Sequence, residues 1–167
     1  PVATVPGPCR ANRPDSRLVI RARGLTPVFF TVAICTWKRS GLLQRTLGRL
    51  ADVDTTGLDW ELLIVDNADD QATRRVVDAL ARRLPIRFLV EPRAGVSHAR
   101  NAAMRAARGA WIAWTDDDVL VERGCLRGHR GAITRWADDV FFGGPIRPVF
   151  ETAPPTWLTA NWARLAD

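Results

Sequence analysis

Four times between residues 28 and 119, a short apolar run breaks off at polar residues, and a helix-like pattern fills each of the three gaps between the runs. The runs are Phe29 to Cys35, Leu62 to Val65, Ile86 to Val90 and Trp111 to Trp114. Apolar runs of this length, rich in β-branched and aromatic residues and bounded by turn formers, read as buried strands. Between the first two, Leu43, Leu47 and Leu50 recur on one helical face, with Ser40 placed to cap it. Between the next two, Val76, Val77, Leu80 and Leu84 repeat at helical spacing behind Asp69 or Asp70, and Pro85 stops them. An Ala-rich helix is expected from a Ser97 cap to Arg108, with Gly109 at its C′ position. Strands alternating with helices predict an α/β fold, a mostly parallel sheet with right-handed crossovers and helices on both faces.

The flanks are less regular. Residues 1–26 hold four prolines and read as a flexible arm, within which Leu18-Val19-Ile20 could add an edge strand. Residues 27–167 form the expected domain. After the fourth run come a weaker helix, roughly Glu122 to Trp136, and a fifth strand at Val140-Phe141-Phe142. The Pro-rich remainder is expected to be irregular, and exposed Trp157 and Trp162 would call for further cover.

In this arrangement Thr36, Arg39, Asp66, Arg93, Gly95, Asp116 and Asp118 all fall at the carboxyl ends of parallel strands. That edge is where open α/β sheets place their ligands. The fourth run carries the most chemistry, because Thr115 and three consecutive carboxylates, Asp116, Asp117 and Asp118, follow it directly. In extended backbone the outer two would point the same way about 7 Å apart. Such a pair suits a hard divalent cation, Mg²⁺ or Mn²⁺. With nearby arginines the edge suits a diphosphate, and Asp66 is placed to hydrogen-bond a base or ribose. Trp111 and Trp114 are expected in the core, on a strand covered on both faces.

Composition removes several alternatives. The chain has 167 residues, 47% of them hydrophobic, which suffices for one ordinary core. No apolar run has bilayer length and no signal-peptide pattern opens the sequence. Residue 1 is Pro rather than Met, as in a processed chain or a fragment. The net charge of +6 favours anionic partners and is compatible with peripheral membrane contact. No basic block with interleaved aromatics occurs, so nucleic acid is not expected as a partner. Cys9, Cys35 and Cys125 are odd in number and lack metal spacing, which points to a reducing cytoplasm, with Cys35 a small buried hydrophobe. His98 and His129 have no partners at ligand spacing. The loop after the first strand lacks both the dinucleotide and the P-loop glycine patterns. A phosphoacceptor receiver domain would need a late lysine, and the sole lysine is Lys38.

Taken together, VAICTWKR, ELLIVDNAD, EPRAGVSHARNAAMRAARG, WIAWTDDDV and the later GGP resemble a family 2 glycosyltransferase of the GT-A fold, in order and spacing over roughly residues 28 to 158. The resemblance implies inverting transfer from a nucleotide-sugar donor to a hydroxyl of a glycan or lipid-linked acceptor, as in cell-surface polysaccharide synthesis. It implies that Asp116-Asp117-Asp118 is the D-x-D signature, with Asp116 and Asp118 on Mn²⁺ or Mg²⁺ and Asp116 and Asp117 against the donor. Thr36, Trp37 and Arg39 would shape the nucleotide pocket and Asp66 would read the base. Arg93, Gly95, Arg100 and Asn101 would lie beside the donor. Trp37 stands where Tyr is usual in the family and Lys38 where Asn is usual; both can keep a stacking or polar wall. Family members continue past this length with a segment carrying the general base, so the base is expected beyond Asp167, with Glu151 and the Asp138-Asp139 pair as weaker candidates. Cytoplasmic placement, at the inner face of the membrane, would follow. The expectation is therefore a donor-binding half that holds nucleotide-sugar and transfers it poorly. The alternatives are a nucleotide-sugar-binding fragment without turnover and a nucleotidyltransferase, the latter disfavoured by the scarcity of glycine in CTWKRSG. Oligomeric state, nucleotide, sugar and acceptor are left open by the sequence.

Overall fold

A computed structural model describes residues 29–136, 141–150 and 152–165, without the side chains of residues 159 and 162–165. The expected N-terminal arm with its Leu18–Ile20 strand, Cys9, Asp138, Asp139, Val140 and Glu151 lie outside the described residues. The chain divides into two compact units, the first running to Arg127 and the second from Gly128 onward.

The first unit is built on four strands: β1 (Phe30–Thr36), β2 (Trp60–Asp66), β3 (Ile86–Val90) and β4 (Trp111–Trp114). They form one all-parallel sheet in the order β3-β2-β1-β4. The helices α1 (Ser40–Leu50), α2 (Gln71–Leu80) and α3 (Val96–Ala106) connect them in turn. Because side chains alternate across a strand, Val32, Ile34, Leu62 and Ile64 face one way and pack with Leu43, Leu47 and Leu50 of α1 and Val77 of α2. Ala33, Leu63 and Val65 face the other way, onto Ala99, Ala102 and Ala103 of α3. Alanines on both sides let α3 lie close to the sheet. Helices therefore cover both faces, as the alternation predicts. Leu43 and Leu47 are completely buried, and each such side chain contributes about 1.5–3 kcal/mol by leaving water.

Local expectations hold unevenly. Asp70 caps α2, its carboxylate accepting from Thr73 N at 2.9 Å, and β3 spans the residues expected. Ser40 and Ser97 are not caps: α1 starts after Arg39 and α3 after Gly95, neither with a side-chain cap bond. Gly109 is not a C′ residue, since α3 ends at Ala106 with Ala107 already extended. Gly109 instead lies against β1, where an added Cβ would come within 2.6 Å of the Phe30 carbonyl carbon and closer still to Thr31 N. Only glycine allows that approach.

β4 is an edge strand among the described residues, paired with β1 alone, so it lacks the two-sided cover expected of it. Trp111 is accordingly only half-buried and Trp114 is 45% exposed, not core.

The helix α4 (Cys125–Arg135) is shorter at both ends than the Glu122–Trp136 expectation. In the second unit, Phe141 and Phe142 form no strand and run irregularly, and Phe141, Ile146, Val149, Phe150 and Trp157 are exposed. The tail is not irregular as expected: α5 (Thr156–Leu165) follows Pro154-Pro155, a placement in which proline's missing N–H costs nothing. No helix among the described residues is long and apolar enough to cross a membrane.

Candidate functional site

The register of the sheet sets up the site. Thr36, the last residue of β1, pairs with Asp66 at the end of β2, but β4 stops at Trp114 opposite Ala33. Ile34 to Thr36 therefore extend past β4, and the acidic triplet turns beside them. The triplet is not extended strand: Asp117 and Asp118 sit in a turn, with Val119 N donating to Asp116 O. The turn nonetheless separates the acids by exposure. Asp117 is only 3% exposed, whereas the side chains of Asp116 and Asp118 are 73% and 44% exposed.

Asp117 holds the turn in place. Its Oδ2 accepts from Thr36 Oγ1 at 2.7 Å, its Oδ1 pairs with Arg39 Nη1 at 2.9 Å, and its backbone carbonyl accepts from Thr46 Oγ1 of α1 at 2.9 Å. Burial pushes its carboxyl above the ordinary range; the Thr36 bond and Arg39 offset part of this, and the flanking acids add to it. Thr36 and Asp117, expected against the donor, are thus occupied with each other. Arg39 reaches a second acid as well, Nη2 lying 2.6 Å from Asp118 Oδ2. Before it, Lys38 takes a positive φ of 53° in the bend between β1 and α1. Trp37 is exposed, with Lys38 Nζ 5.3 Å from its ring centroid. Cys35, one residue before Thr36, is half-buried and not fully buried as expected, and burial raises its thiol pKa to about 11, which keeps the thiol protonated.

From the other side of the sheet, α3 brings Arg100, whose Nη2 lies 3.9 Å from Asp116 Oδ1. Asn101 is exposed beside it on the same helix. Gly95 precedes α3 at φ 126°, a region that only glycine enters without strain. The α1 and α3 N-termini, uncapped by side chains, both open at this edge. Such ends present free N–H groups and positive dipole character.

The neighbouring loops are more closed than the sequence suggests. Asp66 is fully buried, and its two oxygens accept from Ala68 N at 2.9 Å and Asp70 N at 2.7 Å. Its carboxylate builds the β2–α2 turn. Arg93 is clasped by Glu91, with Nε and Nη2 at 2.9 and 3.1 Å from its two oxygens, and this holds the Glu91 carboxyl down at about 2. Asn67, to which sequence reasoning assigned nothing, donates to Glu91 O and Arg93 O at 2.7 Å and accepts from Gly95 N at 2.8 Å. It ties the end of β2 to the loop that starts α3. Its position directly after Asp66, at a strand end rich in turn formers, was the available signal. Thr46 and Glu91 were missed likewise, and nothing in their local sequence marks them.

The donor set has the chemistry that a hard divalent cation takes, without a complete site of protein ligands among the described residues. Asp116 and Asp118 offer hard, exposed carboxylate oxygens, and no group of three or more His, Cys, Asp or Glu among the described residues is placed to hold a metal. Mg²⁺ and Mn²⁺ sites commonly use one or two carboxylates, with substrate phosphates and water completing the shell.

Comparison with known proteins gives the family and the fold. The family profile "Glycosyl transferase family 2" matches residues 31–164. A validoxylamine A glucosyltransferase of Streptomyces hygroscopicus subsp. limoneus is 37% identical over 92 residues, 54% of this chain and 20% of that protein. The succinoglycan biosynthesis protein ExoM of Rhizobium meliloti is 28% identical over 134 residues, 78% of this chain and 42% of that protein. Among solved structures, a mannosyltransferase of Pyrobaculum calidifontis in complex with GDP-Man and Mn²⁺ superposes with a TM-score of 0.57 at 28% identity, covering 62% of this chain and 32% of that one. Staphylococcus aureus TarS 1-349 in complex with UDP gives 0.60 at 22% identity, over 65% and 33%, a likeness of fold. The chain spans about a fifth of the length of the validoxylamine A glucosyltransferases it matches.

Proposed function

The chain belongs to glycosyl transferase family 2, and from that premise we propose that it forms the donor-binding part of an inverting glycosyltransferase that takes a nucleoside-diphosphate sugar with Mn²⁺ or Mg²⁺. The observation that carries this reading is the split of the acidic triplet: Asp117 is turned inward and bonded, while Asp116 and Asp118 remain on the open side between two uncapped helix N-termini.

In this reading Asp116 and Asp118 hold the cation through their carboxylate oxygens. When bound, the cation neutralises the developing charge of the leaving diphosphate, a contribution of several kcal/mol, roughly. The α1 and α3 N-termini and Arg39 draw the diphosphate in, since N–H groups and a forked guanidinium both match phosphate oxygens. Arg100 and Asn101 border the sugar end of the same pocket, and Trp37 offers a flat face for the base. Asp66 supports the pocket floor through the β2–α2 turn, and Arg93 and Gly95 shape the loop before α3. The acceptor is a hydroxyl of a glycan or lipid-linked sugar, and placement in the cytoplasm at the inner membrane face belongs to the same proposal. A nucleotidyltransferase is disfavoured by the family match.

The test is calorimetric titration with UDP-, GDP- and dTDP-sugars, with Mn²⁺ and with EDTA. Binding is expected to need the cation, and Asp118→Ala is expected to weaken cation-dependent binding by far more than tenfold. Equal affinity in EDTA would refute the metal-dependent reading.

A further inference from the structure

The two outer acids of the triplet are unequal in a way the proposed chemistry does not require. Asp116 meets its nearest charged partner, Arg100, only at 3.9 Å, outside hydrogen-bond range. Asp118 is held by Arg39 at 2.6 Å, a short charge-assisted bond. Arg39 is itself anchored, because its other terminal nitrogen is bonded to Asp117, which is buried and fixed by Thr36 and Thr46. The guanidinium fork thus spans the inner and outer acids, with one prong on a fixed carboxylate and the other on an exposed one.

Resting on the donor-site reading above, we propose that Arg39 is an internal counter-ion that occupies Asp118 until a diphosphate draws its guanidinium away. A guanidinium and a divalent cation on one carboxylate repel each other, so the fork and the metal compete for Asp118. An incoming diphosphate resolves the competition, because its oxygens accept the fork and also complete the metal's shell. Cation and nucleoside diphosphate then bind with positive coupling, and Arg39 carries that coupling. By linkage, each raises the affinity of the other by the same factor, typically 5–150-fold. The site would in this way take up little free metal and become metal-loaded only with the donor present.

The experiment is a Mn²⁺ titration of the 167-residue chain, followed by the electron paramagnetic resonance signal of free Mn²⁺, alone and with saturating UDP, GDP or dTDP, each read against the same nucleotide without protein because diphosphates chelate Mn²⁺ themselves. Without nucleotide, Arg39→Gln is expected to bind Mn²⁺ about fivefold or more tighter than the parent chain, the low end of such couplings. With nucleotide, the parent is expected to gain in Mn²⁺ affinity and Arg39→Gln to gain much less. Arg39→Lys keeps the charge but not the fork, and is expected to fall between the two. Circular dichroism checks that each variant folds, and Arg39→Lys carries the test if Arg39→Gln does not. If the parent binds Mn²⁺ with nucleotide but neither variant binds it more tightly without, the counter-ion role is overturned and the donor site stands. If no form binds Mn²⁺ under any condition, both readings fall together.

Discussion

At the start of β1 Thr31 donates to Glu61, and at its end Thr36 donates to Asp117; both bonds are 2.7 Å long and both carboxylates are buried. Their electrostatics are opposite. Burial alone would push the Glu61 carboxyl up, but Thr31, Arg87 Nη1 at 2.8 Å and Arg108 N at 2.8 Å together outweigh it, and the group lies below its ordinary range. Arg87 also donates to Ala106 O, so the same network closes the C-terminus of α3. Asp117 has one threonine and one shared guanidinium, with two further acids beside it, and is held above its ordinary range. The lesson is that one end of the sheet is neutralised within the fold, while the other keeps unmatched negative charge facing solvent. A fold can leave charge uncompensated where a ligand will supply the compensation.

The comparison breaks most visibly at Gly109, which belongs to the closed end through its N–H bond to Thr31 Oγ1 at 2.8 Å. Gly109→Ala is expected to cost about 3 kcal/mol, the upper end for overpacking, since the clash is with backbone that cannot turn aside. Urea unfolding measures it, and a change below half that size would show that β1 and the α3–β4 connection can separate cheaply.

Glu61→Gln is expected to cost about 2 kcal/mol, the range for hydrogen bonds to a charged group, while leaving nucleoside-diphosphate affinity of the folded protein unchanged. The pH dependence sharpens this. A carboxyl held low in the folded state stabilises fully above its unfolded pKa, near 4.5, and loses that contribution as pH falls through the lower folded value. The stability gap between parent and Glu61→Gln should therefore be widest above about pH 5.5 and shrink on acidification. A gap independent of pH would mean that Glu61 acts by shape and not by charge.

The smallest effect is expected at the open end. Thr46→Val removes the hydroxyl bonded to the Asp117 carbonyl and should cost about 1 kcal/mol in urea unfolding. Unlike Glu61→Gln it should also weaken cation-dependent nucleotide binding, because the turn that presents Asp116 and Asp118 loosens. Equal binding would show that Thr36 and Arg39 together suffice to hold Asp117.

Much of this was legible in the residues. Apolar runs and leucine spacing are local properties, so β1 to β3, the three crossover helices and the parallel sheet follow from them. The carboxyl-edge position of the site follows from that topology. The second unit was misread because Phe141-Phe142 has strand composition but no paired strand among the described residues, and composition alone cannot provide a partner.

By itself the sequence determined which polar residues reach the carboxyl edge of the sheet, since strand ends and caps such as Asp70 depend on neighbours a few residues away. Only the tertiary structure decided what those residues do there. Thr36 and Asp117 are separated by 81 positions, Arg39 and Asp118 by 79, and Asn67 and Gly95 by 28. Three adjacent aspartates are chemically identical on the page. The early stop of β4 against β1 gave one of them a buried hydroxyl and left two to the solvent. Burial and hydrogen bonding in turn fixed which carboxylate is buried and which are exposed, because both depend on what lies across space and not along the chain.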